Sequence, residues 1–97
     1  MKVSGESMSP TLHNGDYIFI KTRKPRTLRA ELIYVINHTD LGRIIKRLDH
    51  CDKKELYDFK GDNPASVPKV LTRSIPKDHI IGQALWAITK TGIKRLF

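Results

Sequence analysis

Leu32-Ile33-Tyr34-Val35-Ile36-Asn37, the turn signal Asp40-Leu41-Gly42, and then Arg43-Ile44-Ile45-Lys46-Arg47-Leu48 are the stretch from which the fold can be read. The first run is dense in β-branched and aromatic residues, as strands are. In the second, successive side chains of a strand would point to opposite faces. One face then carries Ile44, Lys46 and Leu48, and the other Arg43, Ile45 and Arg47. With one face buried, Lys46 lies between two aliphatics while the arginines share the wetter side.

Working outward, Tyr17–Lys21 (YIFIK) reads as another strand, with Gly42–Leu48, Glu55–Phe59 and His79–Ile88 as shorter or less regular ones. Turn signals stand between them at Asn14-Gly15-Asp16, Gly61-Asp62-Asn63-Pro64 and Pro76-Lys77-Asp78. Short strands separated by turn clusters predict an all-β fold, a small coiled sheet or partly open barrel. A helix over His79–Ile88 stands as the alternative there, because a short apolar run does not settle its own period. The 97 residues make one domain, spanning 1–97.

Hydrophobic residues make up 39% of the chain and are clustered, which favours a folded domain over a disordered one. Cys51 is the single cysteine, so no disulfide can form within the chain and nothing points to an oxidising compartment. No apolar run is long enough to span a bilayer, and Met1–Gly5 has no signal-peptide core. A cytoplasmic location is the expectation. The net charge is +8, with Lys21, Arg23, Lys24, Arg26 and Arg29 close together. Such a run can attract nucleic acid, anionic lipid or an acidic protein. Pro25 interrupts it and no aromatic interleaves with it, so a solvated loop is the simpler reading and nucleic acid is disfavoured as a partner.

Lys46 is the first residue with a chemical reading. Desolvation disfavours an ammonium, and a neutral amine near pH 7 is a usable general base. Arginine cannot be tuned in this way. The competing reading has the Lys46 stem along apolar surface and its head in water. The second residue is Ser7, within Val3-Ser4-Gly5-Glu6-Ser7-Met8-Ser9-Pro10-Thr11-Leu12. Gly5 permits a tight turn before it and Pro10 restricts the chain after it. A serine needs an adjacent base to act as a nucleophile; by itself it is an ordinary turn residue.

In this order the segments resemble the catalytic core shared by type I signal peptidases and LexA-like repressors. The Ser7 segment matches a Gly-x-Ser-Met-x-Pro-Thr-Leu nucleophile box, and Asn14-Gly15-Asp16-Tyr17 the Gly-Asp turn after it. Ile45-Lys46-Arg47-Leu48 looks like the strand bearing the general base. Gly61-Asp62-Asn63-Pro64 is similar to the Gly-Asp-Asn box of the signal-peptidase branch, and Ile75-Pro76 through Ile81-Gly82-Gln83-Ala84 to the closing segment. The resemblance runs from Val3 to Leu85. It implies a serine endopeptidase with a Ser7–Lys46 dyad, the Lys46 amine within hydrogen-bond reach of the Ser7 hydroxyl.

The oxyanion would be held by backbone N–H groups, that of Ser7 foremost, with Gly5 and Met8 in support. Met8 would line an apolar groove or fill the core. Asp62 and Asn63 would give structural support. The implied partner is a protein or peptide bound as an extended strand, with small residues at the cut. No metal or cofactor is implied, and a homodimer is compatible with related folds.

Departures matter too. Ala65-Ser66-Val67-Pro68-Lys69-Val70 lacks the aspartate-bearing run by which signal peptidases brace the site. No membrane anchor precedes Ser7 and no DNA-binding domain accompanies it, so cleavage in trans is expected, as in a processing or maturation protease. Small signal-peptidase-like enzymes proposed to mature nickel-type superoxide dismutase have a similar Gly-Asp-Asn-Pro box. The competing functions are a catalytically idle LexA-like binding or dimerisation module and a small basic nucleic-acid-binding domain. A Ser–His–Asp site using His13, His38, His50 or His79 has no recognisable box, and a metal site from His38, Asp40, His50 and Cys51 has no known ligand spacing.

Overall fold

A computed structural model describes residues 1–22, 28–51, 55–65 and 72–97. Arg23, Lys24 and Arg26 of the basic run lie outside the described residues, as do Ser66–Val70. The strands are β1 (Tyr17–Lys21), β2 (Ile33–His38), β3 (Gly42–Cys51), β4 (Leu56–Lys60), β5 (Ile75–Pro76), β6 (Ile80–Thr89) and β7 (Gly92–Arg95). All pair antiparallel in one open sheet, ordered β1-β6-β2-β3-β4-β5, with β7 also on β6. The fold is all-β, as the strand and turn pattern implies. Of the segment His79–Ile88, Ile80 onward is strand and His79 closes a 3₁₀ turn at Lys77–His79, so the helical alternative for it does not hold. Among the described residues no helix is long and apolar enough to cross a membrane.

The uninterrupted apolar run of β2 has a physical reason. Ile33 and Val35 enter one core with Val3, Met8, Leu12, Ile18 and Ile45. Tyr34 and Ile36 enter a second core with Leu48, Tyr57, Phe59, Ile75 and Ile80. A strand covered on both faces reads as continuous, not alternating. The same holds for part of β3, where Ile45 is buried opposite the face of Lys46. The expectation of a single buried face on this strand is therefore corrected. The amino-terminal segment, folded back along β1, supplies the second cover.

β6 is the joint of the sheet. It pairs with β1 over Gln83–Ile88, with β2 over Ile80–Gln83 and with β7 over Trp86–Thr89. Register shifts fall between Phe19 and Ile20 and between Val35 and Ile36, so the strands coil where β6 changes partner. Gly82 sits at this bend. A Cβ there would lie 2.2 Å from the Lys21 carbonyl oxygen and 2.9 Å from Ile20 Cγ2. The obstacle is backbone and cannot rotate away. Gly82→Ala is expected to cost about 1–3 kcal/mol, at the level of core overpacking. Urea denaturation monitored by circular dichroism checks this; an unchanged midpoint would show that β1 shifts freely.

One face of the β1–β6–β7 region is left uncovered. Register sets Tyr17, Ile88 and Ile93 in one row and Phe19, Trp86 and Arg95 in the next. Phe19 is 57% and Ile93 74% exposed. Trp86 meets Phe97 edge-on, their ring centroids 5.7 Å apart, and Arg95 lies over the Phe97 ring at 4.2 Å.

Candidate active site

The segment before β1 is held by its own backbone. The Val3 N–H donates to the Asp16 carbonyl (2.7 Å), the Gly15 N–H to the Val3 carbonyl (2.9 Å) and the Ile18 N–H to the Met1 carbonyl (2.8 Å). Between these ties the chain makes a compact turn. The Ser9 N–H donates to Glu6 O and the Leu12 N–H to Met8 O. Val3, Met8 and Leu12 plug the first core, and the buried Asp16 carboxylate accepts the His13 N–H. Gly5 stands at φ 84, a left-handed conformation suited to glycine, and its N–H donates to Asn14 Oδ1 at 2.9 Å. That N–H is thereby engaged, which leaves Gly5 the shaping of the turn. Ser7 follows, half-buried, with buried Met8 as its anchor. Among the described residues the N–H groups of Ser7 and Met8 meet no acceptor.

Gly61-Asp62-Asn63-Pro64 clamps this turn from the other side. The Asn63 N–H donates to the Ser7 carbonyl and Asn63 Nδ2 to the Glu6 carbonyl, each at 2.9 Å. Asp62 accepts Arg47 Nε at 2.8 Å and Arg47 Nη2 at 2.6 Å, a two-pronged pair, and also the Thr11 hydroxyl. Arg47 Nη1 donates to the Glu31 carbonyl. The box thus ties the Ser7 turn to the strand position next to Lys46. The sequence reading missed Arg47 and Thr11 in this role. Strand alternation puts Arg47 on the wetter face, and nothing in its spacing pairs it with residue 62.

The Arg47 guanidinium holds the Asp62 carboxyl below the usual carboxylate range, against the opposing effect of burial and with help from Thr11. A depressed folded-state value stabilises above the unfolded value of about 3.9 and is lost as pH falls through the folded one. Asp62→Asn is expected to cost about 1–3 kcal/mol at neutral pH. That is less than for a sealed ion pair, because both side chains keep some exposure. The difference from wild type should shrink on acidification below about pH 4. Thermal unfolding of both proteins across pH 2.5–7 checks it.

Lys46 lies opposite Tyr34 in the β2–β3 register and is only 3% exposed. A head held out in bulk water does not fit that burial. Among the described residues its amine has no hydrogen bond and no ion pair, so burial acts unopposed and pushes its pKa below that of an ordinary lysine. No sealed side-chain nitrogen or oxygen among the described residues lacks a partner, so this unpartnered amine keeps contact with accessible space. A cavity of about 310 Å³ provides it. Val3, Met8, Ile44 and Ile45 give the cavity apolar walls, and Ser7 and Lys46 both line it. Met8 is at once core and lining. No hydrogen bond joins the Ser7 and Lys46 side chains.

The histidines stand elsewhere. His13 faces Glu6 at 3.3 Å, His50 faces Asp58 at 3.6 Å, and His38 Nδ1 accepts the Asp40 and Leu41 N–H groups within the β2–β3 turn. None lines the Ser7 cavity among the described residues. No group of three or more metal-binding side chains occurs among the described residues.

Residues 1–85 match the family described as Peptidase S24-like. The chain belongs to the Peptidase S24-like family. The matched S24-like region takes in the Ser7 turn, β3 with Lys46, the Asp62–Asn63 clamp and β6 as far as Leu85. No curated protein and no solved structure matches the chain. Membership sets this domain among peptidases.

Proposed function

We propose that this domain is a serine endopeptidase with Ser7 as nucleophile and Lys46 as general base. It cuts an extended protein segment in trans, as a processing or maturation enzyme. The observation that carries this reading is a largely desolvated, unpartnered lysine amine and a serine on the wall of one cavity. As a substrate carbonyl approaches, neutral Lys46 takes the Ser7 hydroxyl proton while Oγ bonds to the carbonyl carbon. The oxyanion faces the unengaged Ser7 and Met8 N–H groups. The ammonium then gives its proton to the leaving amine. Water repeats the sequence on the acyl-enzyme, with Lys46 again the base. Catalytic hydrogen bonds that are long in a free enzyme tighten when substrate binds.

The strand edge beside the cavity supports a peptide substrate. β3 pairs with β4 only from Arg47 onward, so over Arg43–Lys46 its edge away from β2 is open among the described residues. An extended chain can add there by backbone hydrogen bonds. Small residues at the cut are expected from the family resemblance. The Gly61-Asp62-Asn63-Pro64 box, similar to that of the proposed superoxide dismutase maturation enzymes, favours a processing role.

The uncovered face around Phe19 and Ile93 favours a second reading, an idle binding or dimerisation module. An active-site-directed acylating probe separates the two. Mass spectrometry should find the adduct on Ser7 in the wild type and none in Ser7→Ala; an unreactive Ser7 would support the idle module.

A further inference from the structure

The cavity that holds Ser7 is lopsided in charge. Lys2, on the amino-terminal segment, and Arg43, on the open edge of β3, line it from two different walls, and among the described residues no aspartate or glutamate does. Both cations are exposed, and neither has an ion-pair or hydrogen-bond partner among the described residues. Their placement follows from the fold. Val3 is drawn into the first core and Lys2 bridges to Tyr17, which leaves the lysine side chain outside. Arg43 precedes the buried part of β3, where β2 is its only paired neighbour among the described residues.

We propose that this groove selects an acidic peptide segment, with Lys2 and Arg43 as specificity-determining residues. The proposal rests on the peptidase reading for its substrate but not for the binding itself. Solvated cations cost nothing while the groove is open. When an extended chain fills it, water is shed from both side chains, and the loss is offset only if the incoming segment brings carboxylates. A lysine-bearing segment meets repulsion from both walls instead. The net charge of +8 adds a long-range attraction for acidic chains. The expected preference is roughly tenfold in kcat/KM for Asp or Glu over Ser near the cut, mostly through KM and weaker at high salt.

The test uses the full chain and two probes. The first is a synthetic library of randomised decapeptides read by mass spectrometry, in which cuts are accepted only if Ser7→Ala abolishes them. Accepted cuts should be enriched in Asp and Glu within four residues of the bond. The double variant Lys2→Glu/Arg43→Glu should turn that enrichment toward Lys and Arg. The second probe is fluorescence polarisation of labelled Ala-Asp, Ala-Ser and Ala-Lys repeat decapeptides with Ser7→Ala. The Ala-Asp peptide should bind most tightly, and the double reversal should invert the order. Ser7-dependent cuts without acidic enrichment, or an order unmoved by charge reversal, would overturn the proposal and leave the dyad standing. Inverted binding without any Ser7-dependent cut would uphold the acidic groove and overturn the peptidase.

Discussion

Ser7→Ala should leave a folded protein with no measurable peptidase activity. The lost Oγ is the only atom that can form the acyl-enzyme in the proposed reaction, and losses on the order of 10⁴-fold or more in kcat follow when a nucleophile of this kind is removed. Stability should change by less than about 0.5 kcal/mol. The Ser7 hydroxyl has no hydrogen-bond partner among the described residues, and the turn is held by the Ser7 carbonyl, which Asn63 keeps in either variant. Peptide hydrolysis and thermal unfolding on the same preparation check both halves. Activity surviving in Ser7→Ala would mean another nucleophile; a collapse of the fold would mean that the hydroxyl has a structural role.

Lys46→Arg is the second large effect. A guanidinium stays protonated at any usable pH, so the base is lost, at a cost of about 10²–10⁴ in kcat. Lys46→Met makes the opposite physical change while also removing the base. It keeps an unbranched side chain but lifts the cost of burying an unpartnered amine, and should be inactive yet more stable near neutral pH. The pH dependence fixes the sign. Because the folded-state pKa is lowered, the penalty of burying the charge is full below that value. It fades as pH rises toward about 10.4, the unfolded lysine value. Wild-type stability should therefore carry a rising component over that interval which Lys46→Met lacks. The rate should rise with pH through the same lowered pKa. A flat rate between pH 6 and 9, or full activity in Lys46→Arg, would rule lysine out as the base.

Much of this architecture is legible in the sequence. Turn residues punctuate the chain, and Tyr17–Lys21 keeps its predicted limits, while β2 begins at Ile33 and β3 runs on to Cys51. What escaped is long-range. The two-residue β5 and the exposed, mixed β7 have too little periodicity to stand out. Two cores on opposite faces of β2 and β3 are hidden because local alternation describes one sheet face, whereas the second cover comes from the distant amino-terminal segment of Val3, Met8 and Leu12. The same limit explains the site. Ser7 and Lys46 could be picked out by kind, but Asn63 reaching the Ser7 carbonyl and Arg47 reaching Asp62 depend on tertiary register. Neither contact leaves a local mark.

The uncovered β1–β6–β7 face also holds the chain's single tryptophan, Trp86, beside Phe97 and Arg95. Intrinsic fluorescence therefore looks at this hairpin and not at the Ser7 cavity, which Trp86 does not line. Ligands entering the cavity should leave the emission spectrum almost unmoved. Anything that seats on the aromatic face should shift it to shorter wavelength, so one unlabelled spectrum tells the two surfaces apart.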